Sequence, residues 1–398
     1  MSLTINDTAA HPSATATPTV IAAALAERFA HTAAARDLAG GTPKAERDLL
    51  RASGLLRLSI PKEYDGLGAS WAETLAVVRQ LARADSSVGR VFAFHHLQLA
   101  TVRLFGQPAQ WEPWLTETAR HNWFWGNALN PLDKRTLARR VDGGREFSGN
   151  KSFCSGALDS DMLLVSALED SADGKLIIAA VPTQRAGIRL FEDWDNMGQR
   201  QTDSGSAVFE RVAVAEDEIL ADPGPLSSPR ACLRPLLAQL VFVNVYLGIA
   251  EGAFAEARNY TRTQARLWPA SPAGEVTEDL YVLRHYGEFW VALEGARKLA
   301  DHAARLFDAA WNEGAGLTEA GRGDVAVAVA TAKMAATRAG LDLTSRMFEV
   351  TGARSTTAAL RLDRYWRNLR VHTLHDPADQ GHCTYPSCAR LIPSIASL

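Results

Sequence analysis

Residues 162–181, MLLVSALEDSADGKLIIAAV, place two short apolar runs on either side of a turn rich in Asp and Gly. Two more β-prone pieces follow, GIRLF at Gly187–Phe191 and AVFERVAV at Ala207–Val214. Short runs of this kind, separated by Gly, Asp and Asn turns, are typical of a small all-β unit. We therefore predict an antiparallel β-barrel or sandwich in the middle of the chain, at residues 126–228.

The sequence on both sides of this β-domain has helical periodicity. Between residues 19 and 125, apolar residues recur at spacings of three and four. After a Pro- and Ser-rich connector at Asp222–Pro229, three long amphipathic stretches run through Leu233–Ala265, Glu278–Trp311 and Gly323–Val350. Each stretch is long enough for an up-and-down four-helix bundle.

The predicted fold class is therefore mainly α with a central β-domain. A chain of 398 residues is too long for one ordinary compact unit. We expect a disordered tail at 1–18, an N-terminal helical domain at 19–125, the β-domain at 126–228 and a C-terminal helical bundle at 229–398.

Composition excludes several classes of protein. The net charge of -3, without a dense run of Lys and Arg, predicts no binding to nucleic acid. The most apolar run, Pro235–Ala250, carries Gln239 and Asn244 and is shorter than a membrane span, so we predict a buried helix and no membrane. The first 20 residues lack a secretory signal and the 4 cysteines form no CxxC pair, which together predict a cytoplasmic protein.

Motifs along the chain carry a family resemblance. In chain order they are Pro61–Gly68, Asn122–Trp123, Gly126–Ala128, Phe153–Ala157, Gln201–Ser206, Tyr246–Ala250, Tyr260–Arg266, Phe348–Arg354, Tyr365–Asn368 and His372–Pro377. With these motifs the chain resembles the acyl-CoA dehydrogenase superfamily over nearly its whole length, and it is most similar to the branch of dibenzothiophene monooxygenases. The resemblance implies the order helical domain, β-domain, helical bundle.

One motif separates an oxygenase from a dehydrogenase. Many acyl-CoA dehydrogenases place a catalytic glutamate in a Tyr-Glu-Gly-Thr motif, whereas this chain reads VHTLHD at Val371–Asp376. Abstraction of an α-proton from a thioester needs a carboxylate base, while the histidine pair suits hydrogen bonding to a flavin hydroperoxide. Some dehydrogenases carry their base elsewhere, so an acyl-CoA dehydrogenase that uses FAD stays open.

The resemblance implies an oxidoreductase, a two-component flavin-dependent monooxygenase that transfers oxygen from a flavin 4a-hydroperoxide to an organosulfur compound. The chain has no GxGxxG motif and no phosphate-binding GxxxxGK[ST] loop. A separate NAD(P)H-dependent flavin reductase is therefore expected to supply the reduced cofactor. The family implication favours FMN over FAD. It also implies O2 and a small apolar substrate as ligands, and a homotetramer as the assembly.

The positions that match the family define the candidate site. The expected catalytic residues are Asn127, Ser155, His372 and His375, with His375 donating to the peroxide or flavin edge and His372 orienting it. The expected cofactor contacts are Phe94, Asn127, Phe153, Ser155, Trp194, Arg266, Arg354, His375 and Asp376. The two arginines match phosphate contacts, Arg354 from a neighbouring subunit. The expected substrate pocket is lined by Arg90, Phe92, Phe94, His95 and Trp194. No metal site is expected.

Each assignment has an ordinary structural alternative. These are solvated arginines for Arg266 and Arg354, turn chemistry for Asn127 and Ser155, core packing for Phe153 and Trp194, and a histidine pair bonded to Asp376 for His372 and His375. Residues 129–140 lie where relatives have a mobile lid, and a plain surface loop is the alternative there.

Three departures from the relatives leave a further alternative open. Arg90 stands where they have a histidine, and Phe94 stands where they have a flavin-contacting tyrosine. After Pro377 the chain reads ADQGHC at Ala378–Cys383, in place of a segment with Tyr and Lys. The alternative is a catalytically degenerate homologue that acts as a flavin-binding or scaffold subunit.

Overall fold

Capping side chains set the N-termini of two helices in the first helical domain. The Glu73 amide donates to Ser70 Oγ at 3.2 Å, and the Ser70 amide donates to Glu73 Oε2 at 2.9 Å, which forms a reciprocal capping box. Asp85 Oδ1 accepts from the amides of Ser87 and Val88 at 2.8 and 3.1 Å. The computed structural model, which describes residues 17–171 and 174–375, has five helices here: α1 (Pro18–Ala39), α2 (Lys44–Ser53), α3 (Trp71–Ala84), α4 (Ser86–Phe105) and α5 (Pro108–His121).

The described residues of the central domain form one curled sheet of seven strands. The strands are β1 (Trp125–Ala128), β2 (Leu137–Val141), β3 (Gly144–Lys151), β4 (Met162–Glu169), β5 (Leu176–Pro182), β6 (Ile188–Leu190) and β7 (Ala207–Ala215). Their order is β1-β4-β2-β3-β7-β6, and β5 also pairs with β4.

The prediction of a purely antiparallel β-domain was wrong. β4 runs parallel to both β1 and β2, while the remaining pairs are antiparallel. The hairpin of β2 and β3 lies between β1 and β4 in the sequence. β4 can therefore enter the sheet in the same direction as β1, because no tight turn joins the two.

The described part of the C-terminal domain, up to residue 375, contains four helices: α6 (Leu233–Thr263), α7 (Leu280–Glu313), α8 (Glu319–Thr351) and α9 (Asp363–Thr373). The three longest agree with the predicted amphipathic stretches to within about one helical turn. Asp279 caps α7 by accepting from the Tyr281 amide at 2.9 Å, and Thr318 caps α8 by accepting from the Gly321 amide at 3.1 Å. The predicted order of domains is confirmed.

Two glycines let α6 approach α3 closely. A Cβ at Gly248 would lie 2.6 Å from the carbonyl oxygen of Arg79, and one at Gly252 would lie 2.4 Å from that of Arg83. By length and composition α6 is apolar enough to cross a membrane, but 83% of its most apolar window is buried inside the protein. The buried helix predicted for this segment is therefore confirmed.

Two further sequence predictions concern the chain ends and the thiols. Of the predicted tail at 1–18, the first 16 residues lie outside the described residues, while Pro18 already belongs to α1, where proline is favourable in the first turn. Cys154 and Cys232 are free thiols. Cys383 and Cys388 lie outside the described residues.

Candidate active site

Hydrogen bonds join α4, β1 and two loops of the sheet domain. Gln98 Nε2 on α4 donates to Asn127 Oδ1 on β1 at 2.8 Å. The Asn127 amide donates to the Ser155 carbonyl at 3.0 Å, and the hydroxyls of Ser155 and Ser204 lie 2.8 Å apart. All four side chains are buried. We call these four residues the polar network, because they hold two side-chain amides and two hydroxyls at fixed spacing inside the protein.

The loop that carries Ser155 has a strained backbone. Phe153 adopts a φ of 61° and Gly156 a φ of 68°. For a residue other than glycine this conformation costs about 1–3 kcal/mol, and such strain is concentrated at functional sites. The Gly156 amide donates to the Thr202 carbonyl at 3.0 Å, which holds the turn. The Phe153 ring is 58% exposed and its edge packs against Trp194, with ring centres 5.7 Å apart.

One face of α4 points at the polar network. Arg90, Phe94 and Gln98 are four residues apart, so their side chains lie above one another on the helix. Arg90 Nη1 donates to Ser204 Oγ at 3.2 Å, and its guanidinium carbon lies 4.6 Å from the centre of the Phe94 ring. Burial lowers the pKa of Arg90 to about 10, so the side chain remains a cation at neutral pH.

The histidine pair reaches the same place from the end of α9, with His372 in the helix and His375 just after it. Phe242 on α6 packs against both rings, with centre distances of 5.4 Å to His372 and 4.7 Å to His375. The same phenyl ring lies 5.9 Å from the Arg90 guanidinium carbon. Burial, followed by the charge of Arg90, holds the pKa of His372 well below its usual value, so its imidazole is neutral at physiological pH.

Charged and polar contacts fix α9 in position. Asp37 Oδ2 on α1 accepts from Arg361 Nη2 and Arg367 Nη2, both at 2.6 Å. The Gln199 amide donates to Asn368 Oδ1 at 2.6 Å. Since α9 also carries His372, these contacts set the position of the histidine pair relative to the sheet.

Phe92 and His95, expected in the substrate pocket, make their observed contacts with other core residues. The amide of Trp125 donates to His95 Nδ1 at 3.1 Å, so Nε2 carries the proton and donates to the Leu56 carbonyl at 2.8 Å. Both ring nitrogens are thus satisfied inside the core, and burial lowers the pKa of His95 to about 3. Phe92 is completely buried against His96, with ring centres 4.6 Å apart.

The two expected phosphate ligands lie elsewhere on this chain. Arg266 and Arg354 line a groove of about 1310 Å³, formed by the segment after α6, the start of α7 and the end of α8. Arg354 Nη2 donates to the Gln264 carbonyl at 2.7 Å, which keeps the two arginines on one surface. The residues that line this groove include no member of the polar network. Asp376, the remaining expected contact, lies outside the described residues.

Three residues of the candidate site were not predicted from residue types alone: Gln98, Ser204 and Phe242. Gln98 was not predicted, although it extends the four-residue spacing of Arg90 and Phe94, a signal that could have identified it. Ser204 lies in the motif Gln201–Ser206. Phe242 belongs to the apolar helix α6, and no sequence signal predicted its role at the site. Only its contacts in the folded protein distinguish it from its neighbours.

Unpartnered polar atoms test whether the cluster fits a bound cofactor. Within the described part of the chain, Arg90 Nε, Gln98 Oε1 and both ring nitrogens of His372 are buried without a hydrogen-bond partner. Buried polar atoms are normally satisfied, so a group of them at one place indicates a polar ligand. The edge of a flavin ring carries both donors and acceptors, which fits this set. In residues 17–171 and 174–375, no three His, Cys, Asp or Glu side chains are grouped to hold a metal ion.

Family models match both helical parts of the chain. The model "Acyl-CoA dehydrogenase, N-terminal domain" matches residues 15–122, and the model "Acyl-CoA dehydrogenase, C-terminal domain" matches residues 240–380. Together they span more than half of the 398 residues. The class of protein is therefore that of the acyl-CoA dehydrogenases.

Individual relatives narrow this class. The chain is 63% identical to the "probable FMNH2-dependent monooxygenase SfnC" of Pseudomonas putida, over 90% of this chain and 91% of the relative. The structure of methanesulfinate monooxygenase MsuC from Pseudomonas fluorescens superposes with a TM-score of 0.91 at 64% identity, covering 92% of this chain and 95% of the other. FMN-bound TdsC from a Paenibacillus species, a dibenzothiophene monooxygenase, gives 0.87 at 41% identity, covering 92% and 94%.

The chain belongs to the acyl-CoA dehydrogenase superfamily, in the branch that contains these flavin-dependent monooxygenases of sulfur compounds. The resemblance stated from the sequence motifs is therefore confirmed.

Proposed function

We propose that this chain is the oxygenase component of a two-component, FMN-dependent monooxygenase. It accepts reduced FMN from a separate NAD(P)H-dependent flavin reductase and transfers one atom of O2 to the sulfur of a small organosulfur compound. The names of the relatives support the proposal, since SfnC is called FMNH2-dependent and TdsC was solved with FMN. The observation that carries it is that Arg90 contacts the polar network through Ser204 and lies, like both histidines, against the ring of Phe242.

The polar network is suited to hold the flavin ring. The Asn127 amide and the Ser155 hydroxyl supply a fixed donor and acceptor, and we assign both to the flavin edge. Phe153 and Trp194 flank the same loop and offer aromatic surface to the ring, and Phe94 offers more from α4. When bound, reduced FMN would supply two of the four electrons that reduce O2, and the substrate sulfur would supply the other two.

The C-terminal helices contribute the histidines. Because His372 is neutral, one ring nitrogen carries a proton and the other accepts. The Tyr246 hydroxyl donates to the His372 carbonyl at 2.8 Å, which fixes the backbone beneath the ring. We assign His375 as the hydrogen-bond donor to the reacting oxygen and His372 as the residue that orients it. Asp376 is assigned beside the cofactor from the family motif.

Aromatic walls and a nearby loop are suited to exclude water. Phe94 and Phe242 close the apolar side of the cluster, with ring centres 5.9 Å apart. The loop at 129–136 follows β1, and Lys151 Nζ holds it by donating to the carbonyls of Asn130 and Asp133 at 3.1 and 2.6 Å. We propose that this loop acts as a lid, since a dry site limits the wasteful release of reduced oxygen as hydrogen peroxide.

The groove with Arg266 and Arg354 is assigned to the FMN phosphate of a neighbouring copy. Planar guanidinium groups bind phosphate in a bidentate manner. The start of α7 beside this groove exposes large apolar side chains, including Leu280 and Tyr281, which are each at least three-quarters exposed. Another copy of the chain is a suitable cover for this surface. We therefore propose a homotetramer in which Arg354 reaches the cofactor of another subunit, in the cytoplasm, where NAD(P)H is available.

A binding and turnover experiment tests this function. Purified chain is titrated with FMNH2 under anaerobic conditions and is then mixed with O2 and a panel of organosulfur compounds. We expect saturable FMNH2 binding and an oxygenated sulfur product. Bleaching of a bound flavin on addition of acyl-CoA indicates a dehydrogenase instead. Lack of FMNH2 binding indicates a degenerate scaffold.

A further inference from the structure

Arg47 on α2 is completely buried and binds two loops of the sheet domain. Its Nη2 donates to the carbonyl oxygens of Gly156 at 2.9 Å and Asp159 at 2.7 Å. Its Nη1 donates to Asp203 Oδ2 at 3.2 Å. One guanidinium group therefore joins a helix of the N-terminal domain to two separate loops of the sheet domain.

These two loops carry the hydroxyls of the polar network. The first loop, residues 152–161 between β3 and β4, contains Ser155, and the second, residues 191–206 between β6 and β7, contains Ser204. We call them the site loops. Because the two hydroxyls lie 2.8 Å apart, a movement of one loop by about 0.5 Å takes the pair outside hydrogen-bonding range.

Each site loop holds a residue other than glycine in the left-handed conformation. Phe153 has a φ of 61° and Asp203 has a φ of 53°. This conformation costs energy and persists only where several neighbouring contacts enforce it. Arg47 supplies such a contact in each loop, at Asp203 itself and at the Gly156 carbonyl, three residues after Phe153. The shape of both loops therefore depends on Arg47.

The same guanidinium group packs against the start of β1. Its central carbon lies 4.0 Å from the centre of the Phe124 ring, and Phe124 directly precedes β1, the strand that carries Asn127. A planar guanidinium group stacks on a ring with its face while its edge donates hydrogen bonds, which a lysine ammonium group cannot do. Arg47 therefore contacts all three segments that carry a sheet-domain member of the polar network.

We propose that Arg47 is a positioning residue of the monooxygenase: it holds the site loops and β1 at the spacing that the polar network needs to hold the flavin edge. This inference rests on the proposed function. Misplacement of reacting groups by about 1 Å can lower a rate by about 100-fold. A misplaced network is also expected to release more of the reduced oxygen as hydrogen peroxide, because less of it reaches sulfur.

Three variants separate positioning from stability. R47M removes the guanidinium group but leaves the buried Asp203 without its charged partner. R47M/D203N removes the charge of that carboxyl group as well, and asparagine tolerates the left-handed conformation at this position. R47K keeps the positive charge without the planar group. We expect R47M/D203N to recover part of the stability that R47M loses, because an uncompensated buried charge is the larger cost.

Steady-state turnover measures the effect on the site. Each variant is supplied with flavin reductase, FMN, NADH and the organosulfur compound that the unaltered chain oxidises fastest, and product and hydrogen peroxide are measured per folded chain. In R47M and R47M/D203N we expect kcat to fall about 10- to 100-fold with a higher peroxide share, and KM for the organosulfur compound to change less than about twofold. R47K is expected to lie between these variants and the unaltered chain. Recovery of kcat together with stability in R47M/D203N overturns the proposal, because Arg47 then serves stability alone.

Arg145 provides a matched control in the same domain. It is also buried and donates to Glu216 Oε1 at 2.7 Å, but it lies at the start of β3, whereas the first site loop follows the end of that strand. R145M therefore removes a buried, paired guanidinium group away from the site loops. Its peroxide share is expected to equal that of the unaltered chain. A rise as large as that of R47M overturns the proposal, because a general loss of structure then explains both.

Hydrogen exchange tests the geometry of the loops without any cofactor. In the flavin-free chain, peptides from the site loops are expected to exchange about tenfold faster in R47M/D203N than in the unaltered chain, relative to peptides of β4 and β5, which corresponds to one or two lost hydrogen bonds. R145M is expected to leave that ratio unchanged. An unchanged ratio in R47M/D203N overturns the proposal.

The outcomes separate this inference from the proposed function. If the unaltered chain transfers oxygen to sulfur and R47M/D203N does so with the same kcat, the monooxygenase stands and the role of Arg47 fails. If the unaltered chain oxidises no sulfur compound, the proposed function fails. Faster exchange of the site loops in R47M/D203N then still supports the role of Arg47 in their geometry, and unchanged exchange overturns it.

Discussion

Asp203 and Ser204 are adjacent on one loop but contact two regions that differ in how buried charges are paired. Asp203 points to α2, where its Oδ2 accepts from Arg47 Nη1 at 3.2 Å and from the Leu158 amide at 3.1 Å. Arg47 also lies 3.2 Å from Asp159, and we call these two aspartates and Arg47 the ion-pair cluster. Ser204, the next residue, points the other way to Arg90 and the polar network.

The two regions differ in whether a buried arginine is paired with carboxylates. In the ion-pair cluster the guanidinium group faces two carboxylates, so its charge is balanced before any ligand arrives. At Arg90 and His372 buried polar atoms lack partners within the described chain. A protein keeps such atoms at a cost in stability where a ligand uses them. Among the described residues, the charge of Arg47 is paired with carboxylates and that of Arg90 is not, so the region around Arg90 is the candidate site and the ion-pair cluster supports it.

The largest expected effect is on the stability of the ion-pair cluster. R47M leaves Asp203 buried without its partner, and breaking a buried pair in this way costs about 3–5 kcal/mol. R90M removes an unpaired charge, so its free energy of unfolding is expected to change by less than about 1 kcal/mol or to increase. Chemical denaturation measures both values. A loss for R90M as large as that for R47M contradicts the distinction between the two regions.

The next effect is on catalysis at the polar network. S155A removes a hydroxyl assigned to the flavin edge, and we expect kcat to fall about 100-fold, the size seen when a fixed donor at a reacting oxygen is lost. The control is Ser160 on the same loop, whose hydroxyl lies 2.7 Å from both the Ala157 carbonyl and Thr183 Oγ1. S160A is expected to cost about 1 kcal/mol of stability and to leave kcat unchanged. A fall in kcat for S160A without a fall for S155A contradicts the role assigned to Ser155.

A third effect concerns the pH dependence of stability. Burial raises the pKa of Asp203 from 3.8 to about 6, although Arg47 opposes the shift. Because the folded state binds this proton more tightly than the unfolded state, the contribution of Asp203 to stability is lost as the pH rises from about 4 to about 6. Relative to D203N, the unaltered chain should lose on the order of 2 kcal/mol over this range. Urea denaturation across pH measures the difference, and an opposite slope contradicts the assignment.

The smallest effect is expected at the loop after β1. K151M removes two hydrogen bonds that hold the loop at Asn130 and Asp133. If the loop keeps the site dry, the share of NADH electrons that ends in hydrogen peroxide should rise roughly two- to tenfold, since bonds of this kind are worth about 1 kcal/mol each. Oxygen and product assays measure that share. The control is K134M on the same loop, and an equal rise for both variants refutes the role of Lys151.

Local sequence signals were enough for the helices and for the order of domains. Helix caps such as Ser70 and Asp85, and apolar runs such as that of α6, involve residues close together in the sequence. They can therefore be predicted from the sequence alone. The parallel pairing of the strands could not be predicted, because β1 and β4 are separated by more than 30 residues in the sequence.

Only part of the candidate site could be predicted from the sequence. Family motifs pointed to Asn127, Ser155 and the histidine pair, and the fold brings them together. The sequence did not predict the observed contacts of His95, because nearly every residue of α4 is buried and an apolar pattern does not show which face borders the site. The contacts that place His95 in the core, to Leu56 and Trp125, depend on the tertiary structure.

Labelled oxygen gives the most direct measurement of the central claim, that the unsatisfied cluster binds reduced FMN and directs oxygen to sulfur. The chain is incubated under 18O2 with flavin reductase, NADH, FMN and either methanesulfinate or dibenzothiophene, and the products are analysed by mass spectrometry. We predict one 18O atom per oxygen transferred to sulfur, at a rate that falls sharply in S155A. Unlabelled product, or no sulfur product from a chain that binds FMNH2, contradicts the claim.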